Sequence, residues 1–165
     1  MELLIVRHAI ACERDAQRWP DDAERPLSPR GVLRARQAAR GVKRIVPRPA
    51  RVLTSPLLRA QQTAAILARV AGWPRAVLCP QLRPDAPPAA LLAVLARTRE
   101  PRIAVVGHQP DLGQLLAACL AGDGGSAAFE LRKMGIGLVA FHGAARTGHG
   151  ELIWLVPPRL LRAVR

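Results

Sequence analysis

Aromatic residues and cysteines are scarce in this 165-residue chain, and tyrosine is absent. Three tryptophans and two phenylalanines are too few for a platform that stacks the bases of single-stranded nucleic acid. The three cysteines form no CxxC pair, which disfavours a disulfide framework or a zinc knuckle and favours a reducing cytoplasm. No apolar run approaches the roughly 18 residues of a membrane span, and the first run, residues 3–6, lacks the flanks of a signal peptide. We therefore expect a cytoplasmic protein that does not contact a membrane.

Acidic residues are also few, and this imbalance raises the question of nucleic-acid binding. Lysine and arginine together number 25 against 12 aspartates and glutamates, which gives a net charge of +13. All of these cations except Lys43 and Lys133 are arginine, and they are spread along the chain without a dense tract. A solvated basic surface therefore explains the charge better than a nucleic-acid site does, with a non-catalytic basic binding protein as an alternative. The positive field would attract anionic substrates or acidic partner proteins.

The order of the apolar segments predicts an α/β fold. Short β-branched runs alternate with helical patterns, and strands are predicted at 2–6, 51–55, 76–79, 103–106, 136–141 and 152–156. Four helices are predicted, from 29 to about 45, from 56 to 72, from 88 through 95, and from after 110 to 122. This alternation predicts one domain over residues 1–165, a three-layer sandwich of a mostly parallel sheet with helices on both faces. The last two strands would form a hairpin that adds an antiparallel edge.

Two helices carry more detailed expectations. Ser28 is typical of an N-cap, and the proline after it suits the first helical position. In the second helix, Leu58, Ala65 and Ile66 are expected to face the core. Residues 124–126, which are rich in glycine, are expected to form a flexible loop.

Charged side chains follow three of the predicted strands. Arg7 and His8 follow the first, Arg59 lies in the first turn after the second, and His108 follows the strand at 103–106. Because open α/β sheets bind ligands beyond the carboxyl ends of their strands, these four side chains should meet in one crevice. Arginine forks match the oxygens of a phosphoryl group, and the helix N-termini beyond this edge would add N–H donors. The sequence therefore predicts a site for a tetrahedral oxyanion.

The two histidines have two possible tasks at such a site. One can attack phosphorus and carry the phosphoryl group, while the other donates to the oxygens in the transition state. The attacking histidine must be neutral, and nearby cations lower its pKa. Since arginines supply the positive charge, we expect neither a metal nor another cofactor. His142 and His149, beside the hairpin turn, match no zinc spacing and are expected to be exposed loop histidines.

Four blocks of the sequence resemble the histidine phosphatase superfamily. Arg7-His8-Ala9 is similar to its RHG signature, with alanine in place of glycine as in the bacterial SixA-type phosphohistidine phosphatases. The segments RPLSPRG at 25–31, SPLLRAQQTA at 55–64 and GHQP at 107–110 resemble three further blocks of the family, in the same order. Any one block is weak by itself, but four in order on matching elements are specific. The resemblance covers nearly the whole chain.

The resemblance implies a fold and a set of roles. The fold would be the phosphoglycerate-mutase-like α/β sandwich, without a large inserted cap. His8 would be the phosphorylated nucleophile, Arg7 and Arg59 would clamp the phosphoryl oxygens, and His108 would be the second histidine of the phosphate-binding pocket. The activity implied is that of a metal-independent phosphatase that acts through a phosphohistidine intermediate and releases inorganic phosphate.

The identity of the leaving group depends on a proton donor. Many members of the family that cleave phosphate esters carry an acidic residue as proton donor to the leaving alkoxide, and general acid catalysis is typically worth about 10²–10⁴-fold. Asp85 is the best-placed carboxylate here, but a turn-forming aspartate beside proline explains it better. Without an acid, phosphohistidine on a signalling or phosphotransfer protein is the expected substrate. A small-molecule phosphomonoesterase that uses Asp85 as general acid is the alternative.

Overall fold

A six-stranded sheet forms the middle layer of the protein. The computed structural model describes residues 1–122 and 129–164, so the loop predicted at 124–126 lies outside the described residues. The strands are β1 (Glu2–Arg7), β2 (Arg51–Thr54), β3 (Val77–Leu78), β4 (Arg102–Gly107), β5 (Ile136–Phe141) and β6 (Gly150–Val156). They lie in the order β3-β2-β4-β1-β5-β6. The first four are parallel, while β5 and β6 are antiparallel to their neighbours, as predicted for the closing hairpin.

Helices cover both faces of this sheet. They are α1 (Pro29–Ile45), α2 (Leu58–Ala71), α3 (Pro88–Ala96), α4 (Asp111–Ala121) and α5 (Pro158–Ala163). Alternate residues of β1 separate two cores, since Leu4 and Val6 pack in one and Leu3 and Ile5 in the other. The first core contains residues of α1, α2 and α5, and the second contains residues of α3 and α4. The predicted three-layer α/β sandwich is confirmed.

Helix α1 follows its sequence signals closely. The Ser28 hydroxyl accepts a hydrogen bond from the Gly31 N–H at 3.0 Å, which satisfies one of the free donors of the first turn. A side chain at Gly31 would collide with the backbone, because its Cβ would lie 1.9 Å from the Ile10 carbonyl oxygen. The start of α1 is therefore packed tightly against the segment that follows His8.

Helix α2 differs from the expectation in its start and in its buried face. It begins at Leu58 rather than at Pro56, because Leu57 keeps an extended backbone and its N–H donates to the Ser55 hydroxyl. Ala65, expected in the core, is exposed. The side chains that α2 buries are Arg59, Ala60, Thr63, Ala64, Leu67 and Ala71. Apolar periodicity misplaced this face because two of its buried residues are polar.

The C-terminal helix α5 was not predicted at all. It is only six residues long, and Leu161 is its one fully buried side chain. A Cβ on Gly41 would lie 1.9 Å from the Leu161 carbonyl oxygen, so this glycine lets α5 lie directly on α1. Within the described residues, no helix combines the length and the apolar character needed to cross a membrane.

Candidate active site

Three neighbouring parallel strands, β2, β4 and β1, end at the same edge of the sheet, which we call the carboxyl edge. The His8 N–H donates to the Gly107 carbonyl at 3.0 Å, and the Ser55 N–H donates to the Val106 carbonyl at 2.9 Å. The backbone hydrogen bonds between strands thus continue past the strand ends, and they hold the backbone of His8 and Ser55 in place. The rings of His8 and His108 lie 5.1 Å apart between centroids. The structure therefore brings the two histidines to one place.

The hydrogen bonds of His8 define its tautomer. The residue is 7% exposed, and its Nδ1 lies 2.6 Å from the carbonyl oxygen of Ala9. A carbonyl can only accept, so Nδ1 carries the proton and Nε2 keeps a lone pair. Burial, together with the charge of His108, lowers the pKa of His8 to about 3, against the favourable effect of the Ala9 carbonyl. His8 is consequently a neutral imidazole near pH 7, the form that a nucleophile requires.

Ser55 performs the corresponding task for His108. The Ser55 hydroxyl accepts from the Leu57 N–H and lies 2.8 Å from His108 Nε2, so its own proton is available to that nitrogen. In the tautomer in which Ser55 donates to Nε2, His108 carries its ring proton on Nδ1, which is buried and has no hydrogen-bond partner among the described residues. Burial, followed by the charge of Arg59, lowers the pKa of His108 to about 4. The result is a neutral imidazole with a free N–H donor.

Two arginines add further donors to the carboxyl edge. Arg59, in the first turn of α2, is 4% exposed, and Arg7 is the last residue of β1. The Arg7 Nη1 group donates to the Leu131 carbonyl at 2.7 Å, whereas the Nε atoms of both arginines are buried without a partner in the described residues. A buried donor without a partner costs about 1–3 kcal/mol, and charged donors cost more. Three such donors, counting His108 Nδ1, form an arrangement that an oxyanion would stabilise.

Threonine 63 connects the nucleophile segment to α2. Its hydroxyl accepts from the Ala9 N–H at 3.0 Å and donates to the Arg59 carbonyl at 2.7 Å. The side chain of Thr63 is fully buried. One hydroxyl group therefore fixes the backbone beside His8 relative to the turn that carries Arg59.

Sequence reasoning missed Asp22. This residue lies in a short 3₁₀ turn at Asp22–Glu24, where its carbonyl accepts from Arg59 Nη1 at 2.8 Å and its carboxylate lies 3.0 Å from Nη2. The same carboxylate accepts from Arg25 Nε at 2.7 Å. Burial alone would raise the pKa of Asp22, but the hydrogen bond from Arg25 and the surrounding arginine charges lower it. Asp22 is therefore an anionic anchor for the Arg59 guanidinium. It is not a proton donor.

Asp85 lies in an exposed turn of the same edge. Its backbone adopts the left-handed conformation, with φ of 65°, which aspartate tolerates better than most residues. Its N–H donates to the carboxylate of Asp111, in the first turn of α4, at 3.0 Å. The described contacts do not link the Asp85 carboxylate to either histidine. This geometry agrees with a turn-forming role and leaves its role as an acid a prediction.

Metal-ligating residues do not cluster in the parts of the chain that the structure describes. No group of three or more histidine, cysteine, aspartate or glutamate side chains there could hold a metal ion. The chemistry available at the carboxyl edge is thus that of a lone pair on His8 facing a set of cationic and neutral N–H donors.

The sequence is similar to those of known proteins. Residues 3–83 match the model of the histidine phosphatase superfamily, branch 1. An uncharacterized protein of Picosynechococcus sp. is 38% identical over 168 residues, which cover 98% of this chain and 99% of that protein.

Solved structures show the same fold. The protein histidine phosphatase SixA complexed with tungstate is 27% identical, with a TM-score of 0.84 over 98% of this chain and 99% of SixA. A candidate phosphohistidine phosphatase SixA of Agrobacterium tumefaciens is 21% identical, with a TM-score of 0.76 over 95% and 97% of the two chains. The expected phosphoglycerate-mutase-like arrangement is therefore confirmed for the fold.

Proposed function

Because the chain belongs to the histidine phosphatase superfamily and is a phosphatase, we propose that it removes the phosphoryl group from phosphohistidine on a signalling or phosphotransfer protein. The observation that carries the proposal is the state of His8. This neutral imidazole, with its proton held on Nδ1 by the Ala9 carbonyl, lies beside His108 and two arginines whose buried N–H donors have no partner in the described residues. Likeness to SixA, a protein histidine phosphatase that binds the tetrahedral oxyanion tungstate, supports the same substrate class.

The first chemical step transfers the phosphoryl group to His8. The lone pair on His8 Nε2 attacks phosphorus, and the bond between phosphorus and the substrate imidazole breaks. The bonding pair stays on the departing nitrogen, and an imidazole already protonated on its far nitrogen leaves as a neutral ring. Arg7, Arg59 and His108 Nδ1 donate to the three oxygens, where charge is spread in the transition state.

The second step restores the enzyme. Water attacks phosphorus and the bond to His8 Nε2 breaks, with the electron pair returning to that nitrogen. The water proton passes to solvent or to phosphate, so the products are inorganic phosphate and a neutral His8. The arginines balance the added negative charge in both steps, and the proposed reaction uses no metal and no cofactor.

The carboxylates near the site favour phosphohistidine over a phosphate ester. An alkoxide leaving group needs a proton donor, but the arginines keep the Asp22 carboxyl ionised. Neither His8 nor His108 hydrogen-bonds a carboxylate among the described residues. An imidazole leaving group does not require such a donor. We also propose that the reaction takes place in the cytoplasm, a reducing compartment that agrees with the free thiols of Cys12, Cys79 and Cys119.

Intact-mass measurement after brief exposure to a phosphohistidine donor tests the proposal directly. His108→Ala should slow turnover and accumulate one acid-labile phosphoryl group, and the additional change His8→Ala should remove that signal. A phosphorylated protein in the double variant would contradict the assignment of the nucleophile.

The alternative leaving group is tested through Asp85. Its turn is tied to the start of α4, just after His108, which places it at the correct edge of the sheet. Asp85→Asn should leave the rate of hydrolysis unchanged for both a phosphate ester and a phosphohistidine protein. A loss confined to the ester would identify Asp85 as the general acid of a phosphomonoesterase.

A further inference from the structure

A second group of cations lies beside the phosphoryl pocket. A groove of about 460 Å³ begins at Arg7 and continues between the start of α1, the residues before β5, and α5. Its basic lining consists of Arg7, Arg34, Arg132, Lys133 and Arg162, and its one carboxylate is Glu130. We call this surface the basic groove. Because Arg7 belongs to both, the basic groove adjoins the phosphoryl pocket.

Among the residues that the structure describes, the cations of the basic groove outnumber the carboxylates that could balance them. Glu130 lies 3.6 Å from Arg132, and both side chains are largely exposed. Arg34, Lys133 and Arg162 form no ion pair with a carboxylate of residues 1–122 or 129–164. Like charges around one cavity repel one another, and an acidic ligand would relieve that repulsion. The groove therefore has the electrostatic character of an anion-binding surface.

The fold holds two of these arginines in place. Arg34 is on α1 and Arg162 is on α5, and both are only half-buried. The close approach of α5 to α1 at Gly41 brings the second arginine to the side of the first. Rigid placement of charges on packed helices reduces the entropy lost when a charged partner binds.

We propose that the basic groove docks an acidic segment of the protein whose phosphohistidine enters the pocket. This inference rests on the proposed function and deepens it, since it names the chemistry of the partner. Three features support a polypeptide: the volume of the groove, its position beside the phosphoryl pocket at Arg7, and an excess of positive charge among the described lining residues. Carboxylates flanking the phosphohistidine would pair with Arg34 and Arg162, while the net charge of +13 would speed their encounter.

Two matched peptides test the proposal. Each contains one phosphohistidine, made with phosphoramidate, flanked by glutamates in one peptide and by glutamines in the other. Wild-type enzyme should turn over the acidic peptide with a KM about tenfold lower, and added salt should reduce this preference. The double variant Arg34→Gln, Arg162→Gln should lose the preference and retain turnover of free phosphohistidine. The matched control is Arg40→Gln, Arg44→Gln, because both residues are exposed on α1 and neither lines the groove.

Charge reversal distinguishes a change in peptide preference from a nonspecific loss of folding or activity in the variants. Arg34→Glu with Arg162→Glu should prefer a peptide flanked by lysines over the acidic one. Equal KM values for the acidic and neutral peptides in wild-type enzyme would overturn the docking proposal. So would a wild-type preference that the groove variants keep, or inhibition by duplex DNA that is stronger than inhibition by an acidic peptide.

Failure of the two proposals can be told apart. If wild-type enzyme hydrolyses free phosphohistidine but ignores the flanking charges, only the docking surface is wrong. If it hydrolyses no phosphohistidine while cleaving a phosphate ester, the proposed function is wrong and the docking proposal is wrong with it.

Discussion

The two edges of the parallel sheet use arginine in opposite ways. At the amino edge, where β1, β2 and β4 begin, Arg102 pairs with Glu2 and Arg51 lies 3.2 Å from Glu100. These pairs are partly exposed; the first joins β1 to β4, and the second joins β2 to the residues before β4. At the carboxyl edge, terminal nitrogens of Arg7 and Arg59 contact the Leu131 carbonyl and the Asp22 carboxylate, respectively. The buried Nε atoms of both arginines have no partner in the described residues. Arginine thus pairs with carboxylates at the amino edge, whereas at the carboxyl edge it also presents buried N–H donors without a partner, even where Arg59 pairs with Asp22.

The difference lies in what the arginines are held by. Arg102 meets a carboxylate directly across two paired strands, since Glu2 and Arg102 are partners in the ladder between β1 and β4. Arg7 is held by a backbone carbonyl, which orients a guanidinium without cancelling its charge. Buried donors without a partner destabilise the folded state, and they are the groups that a phosphoryl transition state requires. In the proposed mechanism, catalysis at the carboxyl edge therefore depends on these donors without partners.

The largest expected effect is at the nucleophile. His8→Ala should reduce phosphatase turnover by about 10⁴-fold or more, because the covalent route is lost. The folded state should persist, since the removed ring is neutral and makes one side-chain hydrogen bond. Steady-state kinetics with circular dichroism checks both statements. Wild-type turnover in this variant would remove His8 from the mechanism.

Removing one arginine from each edge tests the comparison itself. Arg59→Ala should lower kcat/KM by about 10²–10³-fold, because a preorganised donor to the transition state is lost. Arg51→Ala, the matched control at the amino edge, should leave kcat/KM close to the wild-type value. Similar losses in the two variants would show that the edges do not differ in function.

Acid sensitivity should arise at the carboxyl edge. The pKa values of His8 and His108 are lowered from 6.5 to about 3 and about 4 in the folded protein. Below pH 6.5, these histidines therefore bind protons in the unfolded chain while they remain neutral in the folded protein. Stability should therefore be fully present above pH 6.5 and fall with pH until the folded pKa values are reached. Near pH 5 the loss is roughly 2 kcal/mol for each histidine.

Urea unfolding between neutral and acidic pH measures this loss. His8→Gln should make the profile less steep, because one of the two titrating groups is removed. A variant profile as steep as that of the wild type would assign the acid sensitivity to other groups.

The sequence revealed those parts of the site that follow regular strands. Arg7, His8 and His108 lie directly at strand ends, and a parallel sheet places consecutive carboxyl ends side by side. Arg59 follows from the first turn of the next helix. These positions depend on local patterns and on one rule of sheet topology. Their convergence was therefore predictable, although their hydrogen-bond partners were not.

Asp22 was not predictable because the segment around it has no repeating pattern. Its place depends on distant contacts: the Arg25 guanidinium donates to the Cys12 carbonyl, and the Leu27 N–H donates to the Gln62 side chain on α2. The buried face of α2 was misplaced for a related reason. Arg59 and Thr63 occupy core positions that a search for apolar residues passes over. Functional polar residues thus weaken the very pattern that would locate them.

Replacing the anchor of Arg59 should have a moderate effect. Asp22→Asn removes the charge that holds the guanidinium, and the resulting misplacement should lower kcat/KM about tenfold. If Asp22 acts as a positioning residue for Arg59, Asp22→Asn should cause no further loss in the Arg59→Ala background. The double-mutant cycle measures this coupling. Additive losses would give Asp22 a separate role.

The smallest effect is expected at the amino edge. Arg102→Gln breaks the pair with Glu2, whose partners are about one-third exposed, so unfolding free energy should fall by less than about 1 kcal/mol. The value of kcat/KM should not change, because β1 and β4 remain paired along their whole length. His8 and His108 therefore keep their positions at the opposite edge. Urea unfolding and kcat/KM measured on the same variant separate the two quantities. A lower kcat/KM with an unchanged unfolding free energy would mean that the amino edge affects catalysis. That result would contradict the proposed difference in function between the two edges.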